Sequence, residues 1–554
     1  MKTPIADFIE NYIGNDISRL HMPGHKGCGA LGVEKLDITE IQGAGNLYEY
    51  EGIIAESEKN ASSLFESGYT FYSAGGSSQS IRAMLYLAVQ NYSGYELPVI
   101  LAARNVHKAF VYAAAMLDFE VQWLYPEGDM RSLCSCEITA ESLENALKAL
   151  GRKAAAVYIT SPDYLGGQAD IAALAEVCHR YGTLLLVDNA HGAYLKFLTP
   201  SQHPLDLGAD MCCDSAHKTL PVLTGAGYLH LSKRLHPVYA QNAKTAMEMF
   251  GSTSPSYLIM TSLDKCNAYI ADGYDRKLAE AIKLCEGVKE QLKHNGWKLE
   301  NTDPLRITVC APDGLTGSDL ANKLREHKAE CEFADADFLV LMVTPETRAE
   351  DYDRVLKALG ENALPYAEKK PLEGLLRERK MTVRQAMMAK REKVAAESAL
   401  GRICATAGVG CPPAIPVVIP GEVIDEGAVK LLEHYGIDFI EVVKTDRRAD
   451  NAGAVLESAF IRPDVFMERF EFEGRKYALI EKPEFFCVTE LTAVCLEDVV
   501  DNEQCVPLYT AHYVPRDDIY CWDPVPAELF CDWKNPVSVT KTDKKLNTAT
   551  YERV

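Results

Sequence analysis

The stretch Ser215-Ala216-His217-Lys218-Thr219-Leu220-Pro221 decides the fold when it is taken with the earlier run Leu184-Leu185-Leu186-Val187-Asp188. The earlier run is short, apolar and closed by a carboxylate, as is typical of a parallel strand that is covered on both faces. Its carboxylate precedes a lysine whose amine becomes a nucleophile if burial or nearby positive charge keeps it neutral. Alone, the Ser-x-His-Lys string is also typical of a polar loop, so the interpretation depends on the surrounding sequence.

Alternating strand and helix signals surround Asp188. Residues 154–159 predict a second buried strand, and residues 171–181 carry apolar side chains at helical spacing. Strand, loop, helix and strand in this order predict a βαβ unit of an α/β fold. Residues 189–193 follow the strand at its carboxyl end, which is the edge where open α/β sheets bind ligands. Asp188 is therefore predicted to serve a ligand, with a buried structural carboxylate as the alternative.

A segment rich in glycine and serine lies further upstream. Residues 71–80 (Phe-Tyr-Ser-Ala-Gly-Gly-Ser-Ser-Gln-Ser) precede a predicted helix over 81–90. The N–H groups and the dipole at the start of that helix favour binding of a phosphate. The alternative is an ordinary helix capped by a serine. A strand over 98–103 leads to His107, whose ring could stack on a planar cofactor or cap a helix. Lysine, strand-end carboxylate and phosphate loop together indicate a pyridoxal 5'-phosphate (PLP) site, in which the carboxylate holds the proton of the ring nitrogen.

Longer motifs continue this pattern along the chain in a fixed order. They are His21-Met22-Pro23-Gly24-His25-Lys26-Gly27, Asp37-Ile38-Thr39-Glu40, Gly76-Ser77-Ser78, Arg104 to Lys108, Ser161-Pro162-Asp163-Tyr164-Leu165-Gly166, Asp188 to Ala193, Ser215 to Pro221, Thr253-Ser254-Pro255-Ser256-Tyr257, Ser262-Leu263-Asp264, Asp303-Pro304-Leu305-Arg306, Gly401-Arg402-Ile403, Cys411 to Pro416 and Pro420-Gly421-Glu422. Over residues 1 to 447 the sequence resembles the Orn/Lys/Arg decarboxylase family of fold-type-I PLP enzymes. So many motifs in collinear order are not a chance match.

The resemblance implies a role for each matching residue of the cofactor site. Lys218 would bind PLP covalently, Asp188 would pair with its ring nitrogen, and His107 would stack on the ring. The residues that match the family's phosphate ligands are Ser77, Ser78, Ser215 and His217. His191 would lie beside the ring and help to orient it.

The same resemblance implies a shared active site. Ser254 or Ser256 would reach the cofactor of a neighbouring subunit, which implies a homodimer or a larger homo-oligomer. After loss of carbon dioxide, a proton must return to the substrate Cα. Lys218 and His217 are both candidates for that step.

The activity that the resemblance implies is PLP-dependent decarboxylation of a basic amino acid to the corresponding amine and carbon dioxide, within polyamine biosynthesis. Arginine is the first choice, because short members without an N-terminal wing include arginine decarboxylases; lysine and ornithine follow. Two alternatives remain open. One is a different PLP reaction on the same scaffold, such as transamination or aldol cleavage, and the other is a non-catalytic regulator that keeps the fold.

Four positions depart from the family pattern. Asn189 stands where relatives usually have glutamate, and Asp163 where a threonine is expected. Cys411 and Ala414 alter the usual Tyr-Pro-Pro-Gly-Ile-Pro string. None of these changes removes the lysine, the aspartate or the stacking histidine, so they bear on substrate identity more than on the cofactor.

The composition favours a cytoplasmic enzyme. The 554 residues include 57 Lys and Arg against 79 Asp and Glu, a net charge of -22, which argues against nucleic acid or an anionic membrane surface as a partner. A negative field weakly favours a cationic amino-acid substrate. No apolar segment follows Met1-Lys2-Thr3, and no apolar run approaches membrane-spanning length. The 17 cysteines are then expected to be reduced, and neither Cys134-Ser135-Cys136 nor Cys212-Cys213 has metal-site spacing, so no metal is predicted.

The chain length predicts several domains. Residues 1–300 are predicted to form the N-terminal segment and a fold-type-I PLP-dependent transferase-like large domain of α/β class, and residues 301–448 a smaller α/β domain. The expected elements of the smaller domain are strands over 307–310 and 338–343 and helices over 318–327 and 349–359. Residues 368–393 are charged and helix-prone and predict a solvated connector. Residues 449–554 predict a mainly β appendage of unknown role, with a hairpin around Glu473-Gly474.

Overall fold

The structure is a computed structural model. It describes residues 1–94, 96–126, 132–300, 302–367, 372, 376–408 and 415–444, and beyond these the backbone of strands within 468–553. The chain divides into two compact units, Met1–Lys444 and Thr445–Val554. The first unit carries the predicted cofactor residues. Cys411 and Ala414, two of the positions that depart from the family pattern, lie outside the described residues.

The first unit alternates helices and strands along most of its length. Its elements are α1 (Pro4–Gly14), α2 (Gly52–Leu64), β1 (Tyr69–Ser73), α3 (Gly76–Gln90), β2 (Val99–Ala103), α4 (Lys108–Leu117), β3 (Glu120–Leu124), α5 (Ala140–Leu150), β4 (Ala156–Thr160), α6 (Ile171–Arg180), β5 (Leu184–Asp188), β6 (Met211–Asp214), α7 (Ala216–Thr219), β7 (Gly227–Leu231), α8 (Pro237–Met249), α9 (Tyr257–Ala271), α10 (Tyr274–His294), β8 (Arg306–Cys310), α11 (Gly317–Glu326), β9 (Phe333–Ala334), β10 (Phe338–Met342), α12 (Ala349–Leu359), α13 (Val383–Met388), β11 (Arg391–Ala395), α14 (Glu426–His434) and β12 (Phe439–Val443).

A seven-stranded sheet in the order β1-β7-β6-β5-β4-β2-β3 forms the centre of this unit. The strands from β6 to β3 are parallel, whereas β7 runs antiparallel to both of its neighbours. β4, α6 and β5 form the predicted βαβ unit, which confirms the parallel strand that ends at Asp188.

Apolar side chains of β5 point alternately into two cores. Leu186 is fully buried with residues of α3, α4 and α8, while Leu185 and Val187 are fully buried with residues of α5 and α6. Burying one such side chain contributes about 1.5–3 kcal/mol. The continuous apolar run of β5 is therefore required because both of its faces are covered.

The first unit contains a second sheet, which packs against α10 and α11. Its strands have the order β8-β10-β9 and are antiparallel. α11 begins with a capping box in which Thr316 and Asp319 each bond the other's backbone N–H. The bounds of α12, Ala349–Leu359, coincide with those predicted from its apolar spacing.

In the described part of the predicted connector over 368–393, most residues are exposed or half-buried, and the buried ones are Arg377, Val383 and Ala386. That part contains one six-residue helix, α13, and the strand β11, which pairs with β12. The side chain of Arg377 is fully buried and donates to the carbonyl of Val417 at 3.0 Å. Its guanidinium lies 3.9 Å from Glu422, whose carboxylate is also 3.7 Å from buried Arg104. Arg377 can therefore be buried within this charged segment, because Glu422 neutralises both Arg377 and Arg104.

The second unit consists of strands in its described part. They are β13 (Glu468–Phe472), β14 (Arg475–Pro483), β15 (Thr489–Cys495), β16 (Pro507–Val514), β17 (Ile519–Pro524), β18 (Val537–Val539), β19 (Thr542–Asp543) and β20 (Tyr551–Arg553). Six of them form an antiparallel sheet in the order β13-β14-β15-β16-β17-β19, and β18 pairs with β20. The antiparallel pair β13–β14 confirms the hairpin predicted around Glu473-Gly474. Among the described residues of the whole chain, no helix has both the length and the apolar character needed to cross a membrane.

Candidate active site

The predicted cofactor residues meet where three neighbouring strands end. β4 runs into Ser161, β5 ends at Asp188, and β6 leads through Ser215 to the short helix α7, which carries Lys218. Because these strands are parallel, their carboxyl ends share one edge of the sheet. Open α/β sheets bind ligands at this edge.

Asp188 is buried at the end of β5 and is held by three donors. Its Oδ2 accepts from the Tyr158 hydroxyl at 3.0 Å, and its Oδ1 accepts from Ala190 N at 3.2 Å and from Cys213 Sγ at 3.5 Å. Burial raises the pKa of Asp188 above its ordinary value, although the Tyr158 bond and the charge of Lys218 oppose this shift. A fixed carboxylate with raised proton affinity fits the partner of a protonated ring nitrogen.

Lys218 faces His191 across the mouth of the site. The Lys218 Nζ lies 2.8 Å from His191 Nε2 and 5.6 Å from the centre of the Tyr164 ring. The Tyr164 and His191 rings meet edge to face with their centres 4.9 Å apart. The amine is thus placed between an imidazole nitrogen and an aromatic face, in a half-buried position where a small aldehyde could reach it.

His107 caps α4, because its Nδ1 accepts a hydrogen bond from Ala109 N at 3.1 Å. Burial, and after it the positive charge of Lys218, lowers the pKa of His107 to about 3. The ring is therefore neutral near pH 7 and carries its proton on Nε2. The structure shows the capping role, and a neutral flat ring is compatible with the stacking role, which stays a prediction.

The start of α3 forms the polar end of the site. Gly76, at a φ of +64°, opens the helix, and Ser215 Oγ donates to Ser77 Oγ at 2.8 Å. His217 Nδ1 donates to the carbonyl of Ala226 at 2.8 Å, which leaves its Cε1 facing Gly76, where an added Cβ would be 3.6 Å away. Hydroxyls from two elements and the N–H groups at a helix start suit a phosphate. The three serines predicted to bind it lie here: Ser77, Ser78 and Ser215.

Arg306 is a functional candidate that sequence reasoning did not single out. It begins β8, is 2% exposed, and its Nη2 donates to His191 Nδ1 at 2.9 Å. Its Nη1 donates to the carbonyls of Asp163 at 3.0 Å and Tyr164 at 2.9 Å. The sequence signal for Arg306 was its position at the end of the Asp-Pro-Leu-Arg motif, directly before an apolar strand. A side chain at that position is not expected to be solvated, so a charge there needs a partner.

Comparison with known proteins places this site in a family. The family profile described as Orn/Lys/Arg decarboxylase, major domain, matches residues 3–345. The protein belongs to the Orn/Lys/Arg decarboxylase family. The profile described as Orn/Lys/Arg decarboxylase, C-terminal domain, matches residues 371–442.

Relatives cover most of the chain. The protein named arginine decarboxylase of Bacillus subtilis (strain 168) is 29% identical over 459 residues, which are 77% of this chain and 92% of that protein. The protein of the same name from Halalkalibacterium halodurans is 28% identical over 460 residues, 77% of this chain and 91% of that protein.

Solved structures share the fold at lower identity. The Francisella novicida lysine decarboxylase LdcF has a TM-score of 0.65 at 18% identity and covers 80% of this chain and 81% of that one. Lysine decarboxylase A from Pseudomonas aeruginosa has a TM-score of 0.66 at 17% identity and covers 80% of each chain. These findings confirm the predicted family, the fold-type-I class and, with them, an amino-acid decarboxylase. Membership also implies PLP, which the arrangement of Lys218, Asp188 and the start of α3 fits.

Two predicted residues of this family's site lie apart from the others. Ser256 Oγ caps α9 by accepting from Ile259 N at 3.5 Å, and Ser254 is exposed on the preceding loop. The side chain of Ile259 lies near Gly225, whose carbonyl accepts from Gly76 N at 2.7 Å. Ser254 and Ser256 thus lie outside the cluster of the other predicted site residues, and their role toward a neighbouring subunit stays a prediction.

The described departures from the decarboxylase pattern have distinct local roles. Asp163 Oδ1 accepts from Gly167 N at 2.8 Å, and burial raises the pKa of Asp163 to about 7. Asn189 is buried and its Nδ2 donates to Asp214 Oδ1 at 2.7 Å. A glutamate at position 189 would bring a second carboxylate beside Asp214, so the amide avoids a buried like-charge pair.

Asp214, the last residue of β6, also contacts the imidazole rings of two histidines. Its Oδ2 lies 3.3 Å from His203 Nε2 and 3.1 Å from His230 Nε2, and all three side chains are fully buried. In the part of the chain that the structure describes, these three residues are close enough to hold a metal ion. Hydrogen bonds from the ring N–H groups of His203 and His230 to the Asp214 carboxylate account for the same distances without a metal ion. No disulfide joins cysteines within the described ranges.

Proposed function

We propose that this protein is a PLP-dependent decarboxylase that converts a basic amino acid into the corresponding amine and carbon dioxide. Arginine is the first candidate, followed by lysine and ornithine. The observation that carries the proposal is the placement of Lys218 Nζ at the sheet edge that also holds buried Asp188 and the start of α3. The arginine decarboxylase name of relatives that cover 77% of the chain supports arginine.

Each residue contributes one physical task. When bound, PLP supplies an electron sink for the electron pair left on Cα as carbon dioxide departs. Lys218 would hold the cofactor covalently through its side-chain amine. Asp188 keeps a proton on the ring nitrogen, for which its burial and its three donors prepare it. His107 supports the ring face, and Ser77, Ser78, Ser215 and His217 bind the phosphate.

The proton that replaces the carboxylate must come from a group beside the reacting carbon. Lys218 and His217 lie on the single turn of α7 and are both candidates. Burial of His107, His191 and Asp188 keeps water scarce around the reacting centre, and an apolar setting favours loss of a charged carboxylate.

The assembly, domain borders and location belong to the same proposal. We propose a homodimer or larger homo-oligomer in which Ser254 or Ser256 completes a neighbouring site. Exposed apolar side chains in the N-terminal segment support an interface, since Leu20 is 94% exposed and Leu31 83%. Residues 1–300, 301–448 and 449–554 are proposed as domains, the last of open role, in a cytoplasmic enzyme of polyamine biosynthesis.

A spectrum and a product assay test the proposal together. Purified full-length protein is mixed with PLP, and carbon dioxide release is followed with arginine, lysine and ornithine in parallel, with Lys218→Ala beside exposed Lys283→Ala as the control pair. We expect a visible absorption band and release from one substrate, both abolished only by Lys218→Ala. A band with a keto acid or aldehyde as product would replace the proposal with transamination or aldol cleavage. No Lys218-dependent band would favour a non-catalytic regulator.

A further inference from the structure

Arg306, His191 and Lys218 form a continuous chain of hydrogen bonds. Arg306 Nη2 lies 2.9 Å from His191 Nδ1, and His191 Nε2 lies 2.8 Å from Lys218 Nζ. Both nitrogens of one imidazole are thus used. The chain connects the smaller domain, where Arg306 begins β8, with the lysine on α7.

The chemistry of the three groups fixes the direction of these bonds. A guanidinium has only donors, so His191 Nδ1 must accept. Burial lowers the pKa of His191 well below its ordinary value, and the positive charge of Arg306 adds to this shift, so the ring is neutral. A neutral imidazole that accepts at Nδ1 carries its proton on Nε2. His191 therefore donates to Lys218.

An acceptor at Nζ needs a lone pair, which an ammonium group lacks. If Lys218 were protonated, both nitrogens of His191 would have to accept, and the ring would be an imidazolate. We infer that Arg306 is a positioning residue that fixes the Nε2–H tautomer of His191 and thereby holds Lys218 as a neutral, nucleophilic amine. This inference rests on the proposed function, because it concerns the lysine assigned there to PLP.

The surroundings hold Arg306 in the pose that this role requires. Its Nη1 donates to the carbonyls of Asp163 and Tyr164, and its Nε lies 3.4 Å from Asp303, which also accepts from the Tyr194 hydroxyl at 2.5 Å. Arg306, Asp303 and Tyr194 are at most 2% exposed. The guanidinium cannot swing away from His191 without leaving these partners.

Asp188, His107 and His217 are among the other titratable groups that interact with Lys218. Asp188 is the acid among them, and its charge favours an ammonium. The tautomer of His191 opposes that tendency. Removing Arg306 frees His191 to move its proton to Nδ1, so that Nε2 can accept from a Lys218 ammonium.

Competitive acetylation measures the neutral fraction of Lys218 directly. Full-length protein freed of cofactor is treated with trace acetic anhydride between pH 6 and pH 10, and mass spectrometry compares Lys218 with exposed Lys283 in the same sample. Arg306→Met should lower the relative rate at Lys218 near pH 7 by about tenfold, the effect of one pKa unit. Arg377→Met, another buried arginine, is the matched control and should leave the ratio unchanged.

A double-mutant cycle separates the hydrogen-bond chain from the plain loss of a positive charge. In a His191→Phe background, Arg306→Met should no longer change the rate at Lys218. An equal reduction in both backgrounds would overturn the inference in favour of a charge or folding effect. These readouts do not depend on turnover, so a protein that decarboxylates nothing could still confirm the tautomer, and an active enzyme could still refute it.

A second measurement needs no Arg306 variant, in case Arg306→Met does not fold. ¹⁵N-histidine labelling of the otherwise unaltered chain, with His191→Phe for assignment, reports which ring nitrogen carries the proton. A protonated Nε2 at pH 7 supports the inference. A protonated Nδ1 or a doubly protonated ring refutes it.

Discussion

Asp163 is a buried carboxyl group in the loop after β4, and replacing it with asparagine gives a quantitative prediction. Its Oδ1 accepts from Gly167 N at 2.8 Å, a bond that the asparagine oxygen can retain. Its backbone carbonyl accepts from Arg306, which the substitution leaves in place. Asp163→Asn therefore changes little except the ability to carry a negative charge.

The magnitude follows from the pKa. Burial raises the pKa of Asp163 from 3.8 to about 7, against the opposing Gly167 hydrogen bond and the charge of Arg306. Between these values the folded protein binds the proton and the unfolded chain does not, so the free energy of unfolding falls as pH rises and levels off above pH 7. The difference corresponds to about 4 kcal/mol. Asp163→Asn should be about as stable as the parent below pH 4 and more stable by up to this amount at pH 8.

Urea unfolding followed by tryptophan fluorescence, across pH 4 to 8, measures this difference. Exposed Asp353→Asn is the matched control and should run parallel to the parent protein. The decisive quantity is the gap in the free energy of unfolding between Asp163→Asn and the parent protein, followed as a function of pH. A gap that stays constant from pH 4 to 8, or that favours the parent at pH 8, would refute the reasoning about a buried, reluctantly ionised carboxyl.

Three further substitutions test other parts of the structure. Asp188→Asn should reduce the turnover number by about 100-fold or more without lowering the melting temperature, because an amide cannot hold the ring-nitrogen proton but avoids the cost of a buried charge; steady-state kinetics and thermal unfolding check this. Leu185→Ala, in the fully buried centre of β5, should cost about 2–5 kcal/mol in urea unfolding, and a loss below 1 kcal/mol would contradict the assigned core. Glu422→Gln should destabilise the first unit by about 3–5 kcal/mol, because buried Arg104 and Arg377 would lose their shared counter-charge; Glu378→Gln, at an exposed position, is the control.

Local pattern was enough to predict the strands around Asp188. β5 is predictable because a strand that is covered on both faces must be apolar throughout, and its terminal Asp188 stands out against that run. Apolar periodicity predicts that α3 starts at Ile81, yet the helix begins at Gly76. Its first turn is polar and rich in glycine, a composition that suits a ligand. A turn without apolar side chains adds nothing to the apolar periodicity, so that periodicity does not predict it.

Long-range pairings were beyond the reach of the sequence. Arg306 and His191 are 115 residues apart, and the packing of β8 against the loops after β4 and β5 brings them together. Arg377 reads as part of a solvated charged run, because nothing near it in sequence indicates that Glu422 will neutralise it. The burial of a charged side chain depends on a partner that only the folded chain supplies.

The most direct test of the central claim is the isotope content of the product formed in D₂O. Full-length protein with PLP is incubated with arginine, and the released carbon dioxide and the organic product are quantified by mass spectrometry. The proposed decarboxylase predicts one amine per carbon dioxide, with one deuterium on the carbon that lost its carboxylate, and none of either product with Lys218→Ala. A keto acid in place of the amine, or the same product yield from Lys218→Ala, would contradict it.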